Sequence, residues 1–411
     1  MTVELITIGS ELLSGVTLNT NAQFIGDRLA QAGVLVSRQI SIPDDHDTIV
    51  SVIRESLGRA DWIIVSGGLG PTGDDITKKA LARVFNRPLI FHDELLERLK
   101  ERYVRRGRPI PPLLDTQAVQ PGDAELLPNE IGSAVGIILT EGDKTLVAVP
   151  GVPLEMSAMI STHIVPRIAA AVKSRVESRT WSTTGWTESR LCEVLEPVIA
   201  AHPEITVAFL PSLQGIKLRF TATGPDAGRE LDLITQKALP LVAGALYAEE
   251  DIGIEVVVGR LLTRQHQTIA VAESCTGGLV AKRLTDVPGS SEYVYGGMVV
   301  YDNRAKIKLL GVDRAMIETH GAVSEPVARA MADGALARCQ TDCSLAVTGI
   351  AGPAGGTEEK PVGLIWLATA FKNRDSTSQS IQLMGNREMI RARAAQAALN
   401  MIRLRLLGHE G

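Results

Sequence analysis

The sequence predicts an α/β protein of several domains built largely on parallel sheets, and three observations predict it. The chain has 411 residues, more than one ordinary domain, so two or three are expected. Short apolar runs alternate with helical periodicity over both outer segments, the pattern of strands joined by crossover helices. A shorter segment between them is patterned differently. The composition, 45% hydrophobic and 22% charged, suits well-buried cores in a soluble chain.

In order, residues 1–172 read as strand "VELITIG", helix "NTNAQFIGDRLAQAG", strand "VLVSRQISI", helix "HDTIVSVIRESLGRA" and strand "DWIIVSGG". "AELLPN", "GIILTEGDKTLVAVPG" and a long helix from Val152 to Val172 complete this domain, a three-layer fold. Residues 173–252 read as a small α+β unit of helix, two strands and helix, a linker or dimerisation module. Residues 253–411 begin with the helix "IEVVVGRLLTRQ" and alternate again through "TIAVAESCTGG", "YVYGGMVVYDNRAKIKLLG", "VSEPVARAMADGALARC", "CSLAVTGIAGPAGG", "VGLIWLATAF" and the closing helix "MIRARAAQAALNMIRLRL".

The formal charge of −5 is spread thinly, and acidic residues outnumber basic ones in the middle segment. No basic patch invites nucleic acid, so direct binding is not expected. The opening "MTVELITIGSELLSG" reads as a strand, not a signal peptide. No apolar run approaches the roughly 18 residues of a membrane span. Cys192, Cys275, Cys339 and Cys343 offer no four-ligand zinc set. The expectation is a reduced, cytoplasmic protein.

Three loops of the first domain point to phosphate. "WIIVSGGLGPTGDDITKKAL" sets Gly67, Gly68 and Gly70 after a buried strand, with Thr72 following and a helix from about Asp75. Glycines there let backbone N–H groups approach an anion, and a helix start favours it. Asp74 and Asp75 could hold a divalent cation against phosphates, or simply cap the helix. "TIGSELLSGVTLNTNA" adds Gly9, Glu11 and Asn21, and "VAVPGVPLEM" adds Gly151 and Glu155. In a parallel sheet all three loops emerge at the carboxyl edge, where ligands bind.

On these residues the domain resembles the molybdopterin-binding-type domain of the CinA family, in which G-S-E-L-L-x-G, G-G-L-G-P-T-x-D-D and P-G-V-P-x-E-M occur in this order. The resemblance implies an ADP-ribose pyrophosphatase, with Gly67, Gly68, Gly70 and Thr72 on the phosphate loop and Asp74 and Asp75 as the metal-binding pair. The cation implied is divalent, with Co2+, Mg2+ and Mn2+ not distinguished, and K+ is a further candidate. Val135 stands where the family usually has proline.

In the last domain "AVAESCTGG" puts Ser274 and Cys275 on one tight strand-to-helix turn. A nucleophile there gains from the positive end of the helix, Gly277 and Gly278 permit close approach, and the turn's N–H groups can stabilise an oxyanion. Ser274 or Thr276 as a plain N-cap is the bland alternative. For a base, His320 is the one histidine near a promising loop. The other candidate is Lys306, in "VVYDNRAKIKLLG" with Tyr301 and Asn303, because burial lowers a lysine pKa far enough to accept a serine proton. The loop "VTGIAGPAGGTEEKPVG" brings Thr348, Gly349, Gly352, Gly355 and Gly356, and Arg387 and Arg391 are candidate phosphate partners.

"AESCTGG", Y-x-N-x-x-K, "GAVSE" and "GIAGPAGGTEEKPVG" together resemble the CinA C-terminal domain, a nicotinamide-mononucleotide deamidase that needs no cofactor. The resemblance implies Ser274 as nucleophile, Lys306 as its base, Tyr301 and Thr348 assisting, and Thr276, Gly277 and Gly278 contacting substrate; Cys275 becomes a packed bystander. Asn386 replaces the usual aspartate before Arg387. The whole then implies a cytoplasmic homodimeric enzyme of pyridine-nucleotide salvage acting on nicotinamide mononucleotide and ADP-ribose. The rival readings are a molybdopterin-handling protein and a non-catalytic partner in competence or DNA damage.

Overall fold

Apolar runs become strands here because sheets covered on both faces bury every side chain. The computed structural model describes residues 1–73, 75–171 and 176–409. The chain divides into two compact units, Met1–Ser178 with Ala222–Gly228 and Arg179–Thr221 with Arg229–Gly411.

The first unit holds β1 (Val3–Ile8), β2 (Val36–Ile42), β3 (Trp62–Ser66), a ribbon of β4 (Leu89–Phe91) and β5 (Val119–Pro121), then β6 (Glu125–Leu127), β7 (Gly136–Glu141) and β8 (Lys144–Val149). The main sheet runs β2-β1-β3-β8-β7-β6. β2, β1, β3 and β8 are parallel, while β7 and β6 are antiparallel to their neighbours. Helices Thr20–Gln31 and Pro153–Met159 cover one face through Ile25, Leu29, Met156 and Met159. His46–Leu57 and Thr77–Val84 cover the other through Ile49, Ile53, Ala80 and Leu81. The three layers match the sequence expectation. The long helix expected from Val152 starts at Pro153 and passes through a π turn, Ile160–Ile164, before resuming at Val165–Ala171. Pro166 lies two residues beyond the π turn; it lacks an N–H and its ring would crowd the carbonyl four residues back, which the wider turn relieves.

The segment between the two larger sheets is strand–helix–strand–strand–helix–strand: β9 (Val176–Thr183), helix Glu188–Ala200, β10 (Thr206–Ser212), β11 (Gly215–Thr223), helix Ala227–Val242 and β12 (Leu246–Ala248). The order β10-β11-β9-β12 is a split β-α-β arrangement. β10, β11 and both helices were expected; β9 and β12 add to them.

The last sheet runs β14 (Val294–Val299), β13 (Ile269–Glu273), β15 (Cys343–Gly349), β16 (Leu364–Phe371) and β17 (Arg374–Gln382). β13 is parallel to both β14 and β15, and β16 and β17 are antiparallel. Helices Ile254–Arg264, Leu279–Thr285 and Arg387–Leu406 pack on one face, and Asn303–Leu310, Arg314–His320 and Glu325–Cys339 on the other. The chain leaves β13 for β14 on one side and returns to β15 on the other. That reversal opens a crevice at the carboxyl ends of β13 and β15.

Candidate functional site

In the first unit three turns meet at the carboxyl edge of the sheet. Gly9 N–H donates to the Ile42 carbonyl at 3.0 Å. Gly67 has φ 121° and sits so close to the Ile8 carbonyl that any side chain would collide with it. Gly68 (φ 67°) lies against Thr77 in the same way, and Gly151 is packed on Gly67. Asn21 Nδ2 donates to Ser66 Oγ at 3.0 Å and to the Gly151 carbonyl at 2.8 Å, so one amide fastens two turns to a helix.

Asp75 serves the glycine loop directly. Its Oδ1 accepts the Gly70 N–H at 2.7 Å, and its Oδ2 accepts the Thr72 N–H at 2.8 Å and hydroxyl at 2.6 Å. Asp74 lies outside the described residues. Among the described residues no group of three His, Cys, Asp or Glu side chains is placed to hold a metal ion. Both Asp75 oxygens accept from the loop, which leaves the carboxylate's remaining lone pair to offer a cation. Glu11 is exposed, its carboxylate beside Gly9. Glu155 accepts from Asn129 Nδ2 at 2.6 Å, and Val135 is buried against Leu95, Leu99 and Leu114.

Lys78 was not singled out in the sequence. It is buried, its Nζ donates to the Thr116 carbonyl at 2.9 Å, and burial pushes its pKa down to about 8 against the opposing pull of Asp75. Helical spacing carried the signal, since Lys78 shares a face with Leu81, Ala82 and Phe85.

In the second unit the crevice between β13 and β15 is lined by the Ser274 turn. Ser274 N–H donates to the Val347 carbonyl at 2.9 Å, extending the β13–β15 ladder, and the Glu273 carbonyl accepts from Val300 N–H at 2.8 Å on the β14 side. Gly277 (φ 61°) and Gly278 (φ 94°) reverse the chain into the helix Leu279–Thr285. Ser274 is 8% exposed. Cys275 points the other way, into the apolar core with Ile269, Val271 and Val280, and burial pushes its thiol up to about 12. At neutral pH it is a thiol, not a nucleophilic thiolate.

Lys306 is no solvated helix residue: at 1% exposure it ranks among the largest fully buried side chains. Burial lowers its pKa, opposed by Asp302 and by its neighbour Cys275. Its Nζ donates to the Tyr301 carbonyl at 3.2 Å, and no hydrogen bond joins it to Ser274 among the described residues. The Tyr301 hydroxyl accepts from Arg387 at 2.8 Å, and the same guanidinium donates to the Gly352 carbonyl at 2.7 Å, tying together the loops after β14 and β15. Thr348 Oγ1 donates to the Ala322 carbonyl at 2.9 Å. Arg391 donates to the Thr276 carbonyl at 2.7 Å, beside Gly277. Among the described residues neither arginine pairs with a carboxylate, and the buried Thr276 Oγ1 and Arg391 Nε have no partner. Asn386 caps the last helix by accepting the Met389 N–H at 2.9 Å.

This constellation comes with three family resemblances in the sequence. Residues 4–170 match the model of the probable molybdopterin binding domain, residues 178–248 the damage-inducible protein CinA KH domain and residues 252–406 the CinA C-terminal domain. A putative competence-damage inducible protein of Symbiobacterium thermophilum is 41% identical, covering 100% of both chains. The chain belongs to the CinA family. A CinA-like protein of Geobacter sulfurreducens is also 41% identical, over 99% of this chain and 100% of that one. Among solved structures, a competence/damage inducible protein from Agrobacterium tumefaciens is 42% identical over 38% of this chain and 95% of its own, with a TM-score of 0.36. The CinA protein of Thermoplasma acidophilum is 34% identical over 41% of this chain and 97% of its own, with a TM-score of 0.38.

Within this CinA-family chain, Ser274, Lys306, Tyr301, Thr348, Gly349, Gly352, Arg387 and Arg391 stand on loops and helix starts at the ends of β13, β14 and β15. Asn303, Gly355 and Gly356 are exposed. His320, the alternative base, is exposed at a helix end, its carbonyl accepting from Lys360 at 2.6 Å. The helix after Ser274 does not offer its positive end to the nucleophile, because the buried Glu273 carboxylate accepts the N–H groups of Gly278 (3.0 Å), Val280 (3.1 Å) and Ala281 (2.8 Å). The signal was a lone acidic residue closing an otherwise apolar strand.

Proposed function

We propose that the second unit hydrolyses the carboxamide of nicotinamide mononucleotide, with Ser274 as nucleophile. The observation that carries this reading is Lys306, a fully buried lysine of lowered pKa, held against the strand-to-helix turn that bears Ser274. Neutral Lys306 Nζ takes the Ser274 hydroxyl proton as Oγ attacks the carboxamide carbon. The C–N bond then breaks, the departing nitrogen takes that proton from Lys306, and ammonia leaves. Water adds to the acyl-serine ester and releases nicotinate mononucleotide and free Ser274. Arg387 and Arg391, which pair with no carboxylate among the described residues, suit the 5′-phosphate. The test is ammonia release from nicotinamide mononucleotide by the full chain, with Ser274→Ala and Lys306→Ala; unaltered turnover in either variant would overturn these roles.

The first unit is proposed to cleave ADP-ribose to AMP and ribose 5-phosphate. Its glycine turns, fastened by Asn21 and Asp75, suit a pyrophosphate. A divalent cation is part of this proposal through Asp74 and Asp75. AMP release that persists in chelator would remove the metal from it.

A further inference from the structure

The feature left unused by that mechanism is Glu273. It is 1% exposed, and nothing but backbone N–H groups meets its carboxylate: Gly278 and Val280 on Oε2, Ala281 on Oε1. No lysine or arginine forms an ion pair with it among the described residues. An acidic side chain so deeply buried is costly unless every charge-bearing oxygen is hydrogen-bonded, and here all three donors lie at the far end of one tight turn. Glu273 is the last residue of β13; its three donors lie beyond Ser274. The carboxylate therefore staples the end of the strand to the start of the following helix and fixes the five residues between, Ser274 to Gly278, two of which are glycines at positive φ.

The other amides of the turn are engaged as well. Ser274 N–H is spent on the Val347 carbonyl, Gly277 N–H on the Ser274 carbonyl at 3.1 Å, and Gly278 N–H on Glu273. The N–H groups of Cys275 and Thr276 face the Cys275 sulfur.

We propose that Glu273 is a positioning residue of the amide hydrolysis: its carboxylate holds the Ser274–Gly278 turn so that Ser274 Oγ faces Lys306. The proposal rests on the reading of Ser274 as nucleophile. It adds a residue that touches neither substrate nor Lys306 and acts through backbone geometry alone.

The experiment uses the full chain in three forms, wild type, Glu273→Gln and Glu273→Ala, assayed for ammonia release from nicotinamide mononucleotide and for melting temperature, each with and without sodium formate. Glu273→Gln keeps the shape but turns N–H donors toward N–H donors. The expected result is a loss in kcat of about 100-fold, as a misplaced reacting group produces, with a smaller change in KM, because Arg387 is untouched while Arg391 bonds the Thr276 carbonyl of the turn. In Glu273→Ala, formate can enter the vacated space and accept the same N–H groups, so kcat and melting temperature should rise together with formate while the wild type responds in neither. Either variant keeping kcat within about threefold of wild type per folded molecule overturns the proposal. So does formate that restores the melting temperature of Glu273→Ala without restoring kcat, the mark of a purely structural carboxylate. If Glu273→Ala does not fold, the kcat and KM of Glu273→Gln decide. A wild type that releases no ammonia defeats the Ser274 reading and this role with it, whereas an active wild type beside unimpaired variants defeats only the role of Glu273.

Discussion

Ser274 and Cys275 are neighbours on one turn with opposite surroundings, and that difference makes a sharp prediction. Ser274→Ala should lower ammonia release by several orders of magnitude, leaving only binding and oxyanion stabilisation. Cys275→Ala should leave kcat within a few-fold and cost stability on the order of 1 kcal/mol, the usual scale for trimming a small core side chain. Iodoacetamide should not inactivate the native chain, because the thiol is buried and pushed up to about 12. Rapid inactivation would exchange the roles of the two residues. Lys306 carries a pH signature. Its folded pKa lies below the ordinary 10.5, so the unfolded chain binds the proton more tightly and Lys306 weakens the fold at low pH. That penalty is fully present below the lowered value and relieved as pH rises toward 10.5. Kinetic activity should climb through the lowered value, as neutral amine forms. Lys306→Met should lose this stability rise with pH along with activity, measured by denaturant unfolding across the alkaline range.

At the scale of elements, the turn after β3 is the most constrained piece of the first unit. Gly67→Ala places a methyl group against the Ile8 carbonyl at a φ of 121°. It should cost about 1–3 kcal/mol as backbone strain and abolish AMP release, whereas Gly73→Ala, with open space around it, should do far less. AMP release from Gly67→Ala at the wild-type rate would show that the turn takes no part. Parallel strands such as β1, β3, β13 and β15 were legible because a buried strand is an unbroken apolar run. β9 was not, since "VESRTWST" is polar and half-buried over its first five residues, and β12 has only three residues. The antiparallel turn from β7 to β8 was signalled by Gly142, at φ 61° within "TEGDKT", but read as part of a parallel sheet. The site's glycine loops, Ser274 and Lys306 were legible by composition and order. The bonds of Asn21, Asp75 and Glu273 were not, because a hydrogen-bond partner chosen by tertiary packing leaves no periodic trace in the sequence.

Over the whole molecule the two proposed activities belong to different units, and conditions that silence one should spare the other. Chelator should stop AMP release from ADP-ribose and leave ammonia release unchanged in the same sample; joint loss would mean a shared dependence. A fragment from Ile252 should still release ammonia but melt earlier than one from Val176, because Tyr247 packs on the core of the last sheet and Glu250 pairs with Arg260 at 2.9 Å. Equal melting temperatures would show that these contacts contribute nothing. The hydrogen bonds of Asn21 span 45 and 130 residues of chain, and this separation bears on the order of folding. Closing such long loops carries an entropic cost that only an assembled sheet offsets. No short early fragment can present the three glycine turns together, so the capacity to bind a pyrophosphate should return last during refolding, after helix content has recovered.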